Sequence, residues 1–185
     1  ISTASFANSL GCSGGKAALG CIQRCAPFCS TPMPGTSTAA SATIVKFNAS
    51  YAGTAVVKVT DQVADITTTG TGKGTTTAGT GKVTPIGAGK ITGKGTGDAS
   101  VQPGVPFTGT GSITGSKGAK LNFKMASGSQ GCGDEAGEVF SVSGRVIVTG
   151  GAGVFKKAKG TLKLTGVYDR NKGSFAVKLA GKLTV

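Results

Sequence analysis

Apolar and polar residues alternate with a period of two along the second half of the chain. In the final stretch, 174–185, phenylalanine, valine and leucine fall on one face, and lysine, serine and threonine on the other. The same alternation runs through 121–125, 140–148 and 162–168. Because successive side chains of a β-strand point to opposite faces, this pattern predicts antiparallel strands with one buried and one wet face.

The last two predicted strands also specify a register. We expect Tyr168 to pair with Phe175 across the intervening Asp-Arg-Asn-Lys-Gly turn, because a slip of one residue would turn lysines inward. This register sets glycines opposite large side chains, in the pairs Gly166–Val177 and Leu162–Gly181. A strand that lacks a side chain at such a position can coil sharply, as the closure of a small barrel requires.

A different pattern occupies the first part of the strand-forming region. Two β-branched runs flank the segment Asn-Ala-Ser-Tyr-Ala-Gly at 48–53, which predicts a hairpin with its turn there. Asn48 opens an Asn-Ala-Ser triplet, the acceptor sequence for N-glycosylation. We therefore take Asn48 at the predicted turn as a candidate glycosylation site.

The segment 70–97 carries glycine at alternate positions over several short clusters. In an extended strand, each cluster presents a strip without side chains, which would admit the close approach of another backbone or sheet. A flexible Gly/Thr linker is the alternative. The period of two and the interleaved threonine, lysine, valine and isoleucine favour strands.

Residues 1–40 form a distinct segment that holds four of the five cysteines and three of the six prolines. We expect a Cys-rich N-terminal arm at 1–40 and a Gly/Thr-rich domain at 41–185. Disulfides are the favoured use of the cysteines, although cysteines repeated every four residues also suit a metal or iron–sulfur cluster. An odd number leaves one thiol free or available to join two subunits. The disulfide candidates are Cys12, Cys21, Cys25, Cys29 and Cys132.

The composition offers little catalytic equipment. The chain has no histidine, which excludes Ser-His-Asp triads, Cys-His pairs and imidazole metal sites. One loop gathers Asp134, Glu135 and Glu138, which we interpret as a solvated turn, with calcium binding as the alternative. Neither a phosphate-binding loop nor a dinucleotide motif occurs among the glycines. We predict that the protein is not an enzyme and has no cofactor and no metal.

Lysine and arginine number 20 against seven acidic residues, so the net charge is +13. The lysines are scattered singly along the predicted strands, as expected of residues that prevent strands from pairing wrongly. An anionic partner, such as an acidic polysaccharide or a cell surface, is the alternative. Aromatic residues make up 5%, too few for stacking on single-stranded nucleic acid. No stretch reaches the length of a membrane-spanning helix.

The final stretch, "GGAGVFKKAKGTLKLTGVYDRNKGSFAVKLAGKLTV", resembles the ending shared by dirigent proteins and allene oxide cyclase-like barrels. It is also similar to the ends of Gly/Thr-rich exported bacterial proteins. The resemblance implies an eight-stranded antiparallel barrel, often assembled as a trimer. The acidic and arginine residues with which dirigent proteins handle a phenolic intermediate have no counterpart here, so the resemblance carries the fold and not the activity. The matching positions are Gly150, Gly151, Gly153, Phe155, Ala158, Gly160, Asp169 and Gly173.

These observations predict an all-β protein, an antiparallel barrel or closely related sandwich, with a Cys-rich arm. The start at Ile1, without methionine, suggests a processed chain that is exported to the extracellular space or cell surface. We expect a structural subunit that assembles with copies of itself into a filament or surface layer. Two alternatives remain open: a barrel that binds a small apolar or phenolic ligand, and a module that binds acidic polysaccharide.

Overall fold

Nine β-strands account for most of the described chain. The computed structural model describes residues 42–79, 83–101 and 104–185. Short 3₁₀ turns at Ser116–Gly118 and Gly153–Phe155 complete the elements. The strands are β1 (Ile44–Thr60), β2 (Val63–Ala78), β3 (Val83–Asp98), β4 (Gly104–Thr114), β5 (Lys120–Met125), β6 (Gln130–Gly133), β7 (Val139–Ala152), β8 (Lys159–Asp169) and β9 (Ser174–Thr184).

The strands close into an antiparallel barrel of eight positions. Neighbours around the wall follow the order β3-β2-β1-β9-β8-β7-β5-β4, and β3 pairs with β4 to complete the ring. The short strand β6 continues the place of β5, since both pair with β4 on one side and β7 on the other. The prediction of an antiparallel barrel is confirmed, in its closed form rather than as a sandwich. Within the described residues, no helix is long and apolar enough to cross a membrane.

The predicted register of the last hairpin is confirmed. Tyr168 pairs with Phe175, and the same ladder sets Gly166 opposite Val177 and Leu162 opposite Gly181. A Cβ atom at Gly181 would lie 2.9 Å from Cδ2 of Leu162, closer than packed carbon atoms approach. The absence of a side chain at Gly181 therefore provides the space that the Leu162 side chain fills.

The hairpin predicted around 48–53 is wrong. Those residues lie in the middle of β1, a single strand of 17 residues that pairs with β2 on one side and β9 on the other. The inward alternation passes through the segment without a break, from Phe47 through Ala49 and Tyr51 to Ala55, all buried. The Asn-Ala-Ser segment stays extended because its backbone pairs with β2 on one side and with β9 on the other. Asn48 lies exposed on the outer face of β1.

The glycine-rich segment forms β2 and β3, so the linker interpretation is wrong where the structure describes the chain. Its alternating glycines face the barrel interior. A Cβ atom at Gly72 would lie 2.7 Å from Cδ1 of Tyr51, and one at Gly70 would lie 2.8 Å from Cζ of Phe175. The strips without side chains thus make room for large side chains inside the barrel rather than for a second sheet outside it.

One end of the barrel, here called the closed end, is filled with side chains. It carries the 3₁₀ turn after β7, in which Phe155 is 1% exposed and packs edge-to-face on Phe47 with ring centroids 6.5 Å apart. Ala158 and Leu183 are also buried there. The opposite end, here called the open end, carries the connections after β1, β3, β6 and β8.

The residues of the family-like motif lie mainly at the closed end. Gly150 and Gly153 have positive φ angles of 133° and 61°, which glycine adopts readily. Gly150 lies in β7 beside the register shift with β5, and Gly153 begins the 3₁₀ turn. Asp169 ends β8 at the open end, where its carboxylate accepts a hydrogen bond from the Lys172 N–H at 3.0 Å. The motif therefore covers the turns that follow β7 and β8, together with Phe155, whose buried ring helps to fill the closed end.

Substitution at an inward glycine tests the space-sharing arrangement. A Cβ atom at Gly111 would lie 2.5 Å from Cζ of Phe123 and 2.7 Å from the backbone oxygen of Thr92. We expect Gly111→Ala to lower the free energy of unfolding by about 1–3 kcal/mol through overpacking. The control is Gly79→Ala, because nothing lies within 4 Å of a Cβ atom there. Equal denaturant midpoints for the two variants would contradict this explanation.

The interior also contains one unsatisfied polar group. Tyr51 is 2% exposed, and its hydroxyl has no hydrogen-bond partner among the described residues. Burial raises the pKa of this hydroxyl from 10.0 to about 12. Both facts mean that the phenol is buried without compensation, and that its ionisation opposes folding.

Removal of that hydroxyl is expected to stabilise the protein. Tyr51→Phe should raise the free energy of unfolding by on the order of 1 kcal/mol, because a buried unpaired donor costs about that much. Since the folded pKa lies above the unfolded one, the wild type should lose further stability between about pH 10 and 12. Tyr51→Phe should lack this part of the loss, whereas the half-buried Tyr168→Phe control should keep it. Denaturant unfolding across this range measures both effects, and a destabilised Tyr51→Phe would refute the assignment.

Candidate functional site

The barrel contains a cavity of about 650 Å³ that begins below the open end. Its deep part touches Ile91, Met125 and Leu164, beyond which the interior is filled by the closed-end side chains. A cavity of this size lies within the range that proteins use for small organic ligands. The barrel is therefore filled at one end and hollow at the other.

The cavity exists because one part of its wall has no side chains. Gly93 and Gly95 on β3 face inward, and Gly95 pairs with Gly109 on β4. The three nearest atoms to a Cβ atom at Gly95 all belong to the backbone of Thr108 and Gly109, the closest of them being the Thr108 carbonyl oxygen. No side chain is among these atoms, whereas at the closed end the atoms nearest a Cβ atom at Gly74 or Gly115 include those of Ile86. Gly93, Gly95 and Gly109 therefore line the cavity with backbone alone.

Aromatic rings form much of the rest of the wall. Phe107, Phe140, Tyr168 and Phe175 all line the cavity. The rings of Phe140 and Tyr168 lie 6.1 Å apart with a tilt of 38°, a separation at which aromatic rings attract one another. Such a lining is suited to flat, apolar molecules, and the backbone wall opposite would admit a ring close to β3.

Few polar groups reach the cavity. The Thr68 hydroxyl donates to the Gly93 backbone oxygen at 3.5 Å. Tyr168 and Arg170 lie towards the mouth. The backbone N–H of Arg170 donates a hydrogen bond to the backbone oxygen of Glu138 at 2.8 Å. Among the described residues, no carboxylate lines the cavity. These groups can orient a ligand, and they do not form a pair of proton donor and acceptor carboxylates.

The acidic loop predicted from the sequence lies beside the mouth and not within the cavity. Asp134 Oδ1 accepts a hydrogen bond from the Glu138 N–H at 2.8 Å, so this carboxylate caps its own turn. Asp134, Glu135 and Glu138 are exposed and do not form a metal-binding group in the part of the chain that the structure describes. The arrangement corresponds to the solvated turn and gives no support to a calcium site.

The cysteine predictions fall mostly outside the described residues, as does the arm at 1–40. Cys132 lies half-buried on β6 and forms no disulfide within the described part of the chain. Cys12, Cys21, Cys25 and Cys29 lie outside that part. Their pairing, and the glycosylation of Asn48, stay predictions.

The sequence offered a ligand-binding barrel only as an alternative function, and it did not locate the cavity. Its signal was present in the spacing, because inward glycines recur on β3 and β4 at positions that prove to be neighbours in the barrel. Reading that signal requires the strand pairing, which the sequence alone specified only for the last hairpin.

Comparison with known proteins returned no relationship: no family model matches the chain, and neither a curated protein nor a solved structure is significantly similar to it. The resemblance of the final stretch to dirigent and allene oxide cyclase-like barrels therefore stays a prediction, and function is argued below from this chain's own geometry.

Proposed function

We propose that the protein binds a small apolar or phenolic molecule inside the open end of its barrel. One observation carries the proposal: a cavity of about 650 Å³ whose wall combines the rings of Phe107, Phe140, Tyr168 and Phe175 with the bare backbone of Gly93, Gly95 and Gly109. Apolar ligands gain most from leaving water for such a lining. Closed eight-stranded barrels are able to hold one small ligand at their core.

The polar groups indicate how a phenolic ligand would lie. An aromatic ring inserted between the glycine wall and Phe140 would leave its hydroxyl near the mouth, where Tyr168 and Arg170 offer hydrogen-bonding groups. A ligand wholly without polar atoms would use the deeper part, beside Ile91 and Leu164. The site is suited to binding rather than to acid–base chemistry, since the ionisable side chains at its mouth are those of Tyr168 and Arg170, and the Lys94 side chain is exposed on the outer face of β3.

The other functions expected from the sequence rest on observations other than the cavity. The proposal of an exported structural subunit no longer draws on the glycine strips, since these face inward. The proposal of a module for acidic polysaccharide rests on single lysines around the outer wall. Export to the extracellular space or cell surface rests on composition and cysteine content. Ligand binding is favoured because it uses a formed cavity.

Blocking the cavity tests the proposal. Val142 lines it and faces Gly131 across the β6–β7 ladder, so a larger side chain there would project into open space. We expect Val142→Phe to weaken binding of the neutral dye Nile red, and of 2-naphthol in competition with it, by at least about tenfold. Fluorescence titration measures both affinities.

The matched control is Val56→Phe, the same substitution on the outer face, where the valine is exposed. It should bind the dye like the wild type, and circular dichroism should show all three proteins folded. Equal binding by Val142→Phe and Val56→Phe would place the dye on the outer surface and overturn the proposal. Absence of saturable binding of both probes by the folded wild type would overturn it as well.

A further inference from the structure

Every acidic residue of the chain lies at the open end of the barrel. The seven carboxylates belong to the connections after β1, β3, β6 and β8 or to the strand residues beside them. Hydrogen bonds from the Ser100 side chain and backbone lower the pKa of Asp98, so this carboxylate remains ionised near neutral pH. The set consists of Asp61, Asp65, Asp98, Asp134, Glu135, Glu138 and Asp169.

Cations near this rim do not neutralise it. Lys58, Arg170 and Lys172 lie at the same end, three against seven carboxylates. Among the described residues, the Lys172–Asp169 contact at 3.0 Å is the sole ion pair. The rim therefore presents unpaired negative charge around an apolar mouth, on a protein whose net charge is +13.

The closed end has the opposite character. Seven exposed lysines surround it and no carboxylate lies there among the described residues. At its apex Val154 is 64% exposed, directly before buried Phe155 and the pair Lys156 and Lys157. The closed-end lysines are Lys46, Lys117, Lys120, Lys156, Lys157, Lys159 and Lys182.

The wall between the two ends carries basic side chains on β2, β3, β5, β7, β8 and β9, and none on β4 or in the middle of β1. Seven exposed basic side chains are spread over the middle of the strands, again without a carboxylate among the described residues. Two barrels side by side would bring like charges together, whereas two barrels end to end bring unlike charges together. The wall residues are Lys73, Lys90, Lys94, Lys124, Arg145, Lys163 and Lys178.

Exposed apolar side chains lie at both of the unlike ends. On the open rim, Val59 is 55% exposed and Val101 and Val139 are also exposed. On the closed end, Val154 stands between lysines as an apolar point. Exposed apolar side chains also occur on the wall, as at Val56 and Ile147, so the pairing of the two ends rests on their unlike charges, to which the exposed valines add apolar contact area.

We propose that copies of this protein associate head to tail, with the closed end of one barrel seated on the open rim of the next. The partner is a second copy because the two complementary surfaces belong to the same chain. Such an interface is heterologous, so each added copy leaves one free end and the assembly grows into a linear array. This association is separate from ligand binding, although a seated copy would lie over the mouth.

Two charge-reversal variants of the full chain test the proposal. Lys156→Glu with Lys157→Glu removes the closed-end surface, and Glu135→Lys with Glu138→Lys removes the rim surface. No hydrogen bond from these four side chains to another described residue is present in the structure, so both variants should fold. Lys163→Glu with Lys178→Glu is the matched control for the lysine variant, with the same fall in net charge placed on the wall. The rim variant raises the net charge by the same amount.

Sedimentation velocity at low ionic strength should show the wild type and the wall control as concentration-dependent oligomers. Each end variant alone should be monomeric. Their equimolar mixture should recover association at least to dimers, because one supplies an intact rim and the other an intact closed end, and the two reversed surfaces again carry unlike charges. Added salt at about 0.5 M should reduce association of the wild type, since it shortens the reach of surface charges to a few ångströms.

Three results would overturn the proposal: a monomeric wild type at low ionic strength, end variants that associate like the wild type, or an equimolar mixture without dimers. A monomeric wild type that binds heparin through the closed-end lysines would assign that surface to a polyanion instead. Non-reducing gels identify disulfide-linked species, so that covalent dimers are not counted. Val142→Phe should associate normally, which separates failure of ligand binding from failure of assembly.

Discussion

The interior of an eight-stranded barrel is too narrow for a large side chain at every inward position, and the structure depends on how this volume is shared. Along β8 and β9, each inward glycine lies opposite a leucine or valine. Gly72 beside Tyr51 and Gly111 beside Phe123 repeat the arrangement elsewhere on the wall. Large residues can then pack across the barrel axis while the strands keep continuous hydrogen bonding.

The same rule, applied unevenly, produces the candidate site. At the closed end the glycines are matched by phenylalanine, leucine and isoleucine, so the interior is filled. At the open end no side chain is among the three atoms nearest a Cβ atom at Gly95 or Gly109, and both glycines line the cavity. The cavity is therefore a consequence of how glycine is distributed along β3 and β4. Stability is concentrated at one end of the barrel and binding space at the other.

The ends differ in charge as well as in packing. Loops at the open end carry the carboxylates, and the closed end carries lysines beside an exposed valine. Since the two ends differ in charge, the molecule has a direction along its axis. Two unlike, complementary ends are the minimum that a molecule needs to form a linear array. This holds whether or not the cavity contains a ligand.

Sequence pattern was sufficient for the fold class and for the last hairpin, because alternation there is strict and a one-residue slip would bury lysine. It failed at Asn48, where a local sequence typical of turns lies in a long strand whose hydrogen bonds are supplied from both sides. The position of the cavity and the polarity of the ends could not be predicted, since both depend on which strands become neighbours. Gly95 and Gly109 are 14 positions apart in sequence and adjacent in the wall.

The most direct measurement of the central claim is a methyl NMR titration of the full-length protein with 2-naphthol. If the open half of the barrel is hollow and the closed half is filled, shifts should concentrate on the methyl groups of Val142, Ile91 and Leu164. Those of Leu121, Val148 and Leu183, which are buried at the closed end, should stay unchanged. Shifts confined to the exposed valines of the outer surface, or spread evenly through both halves, would contradict the account.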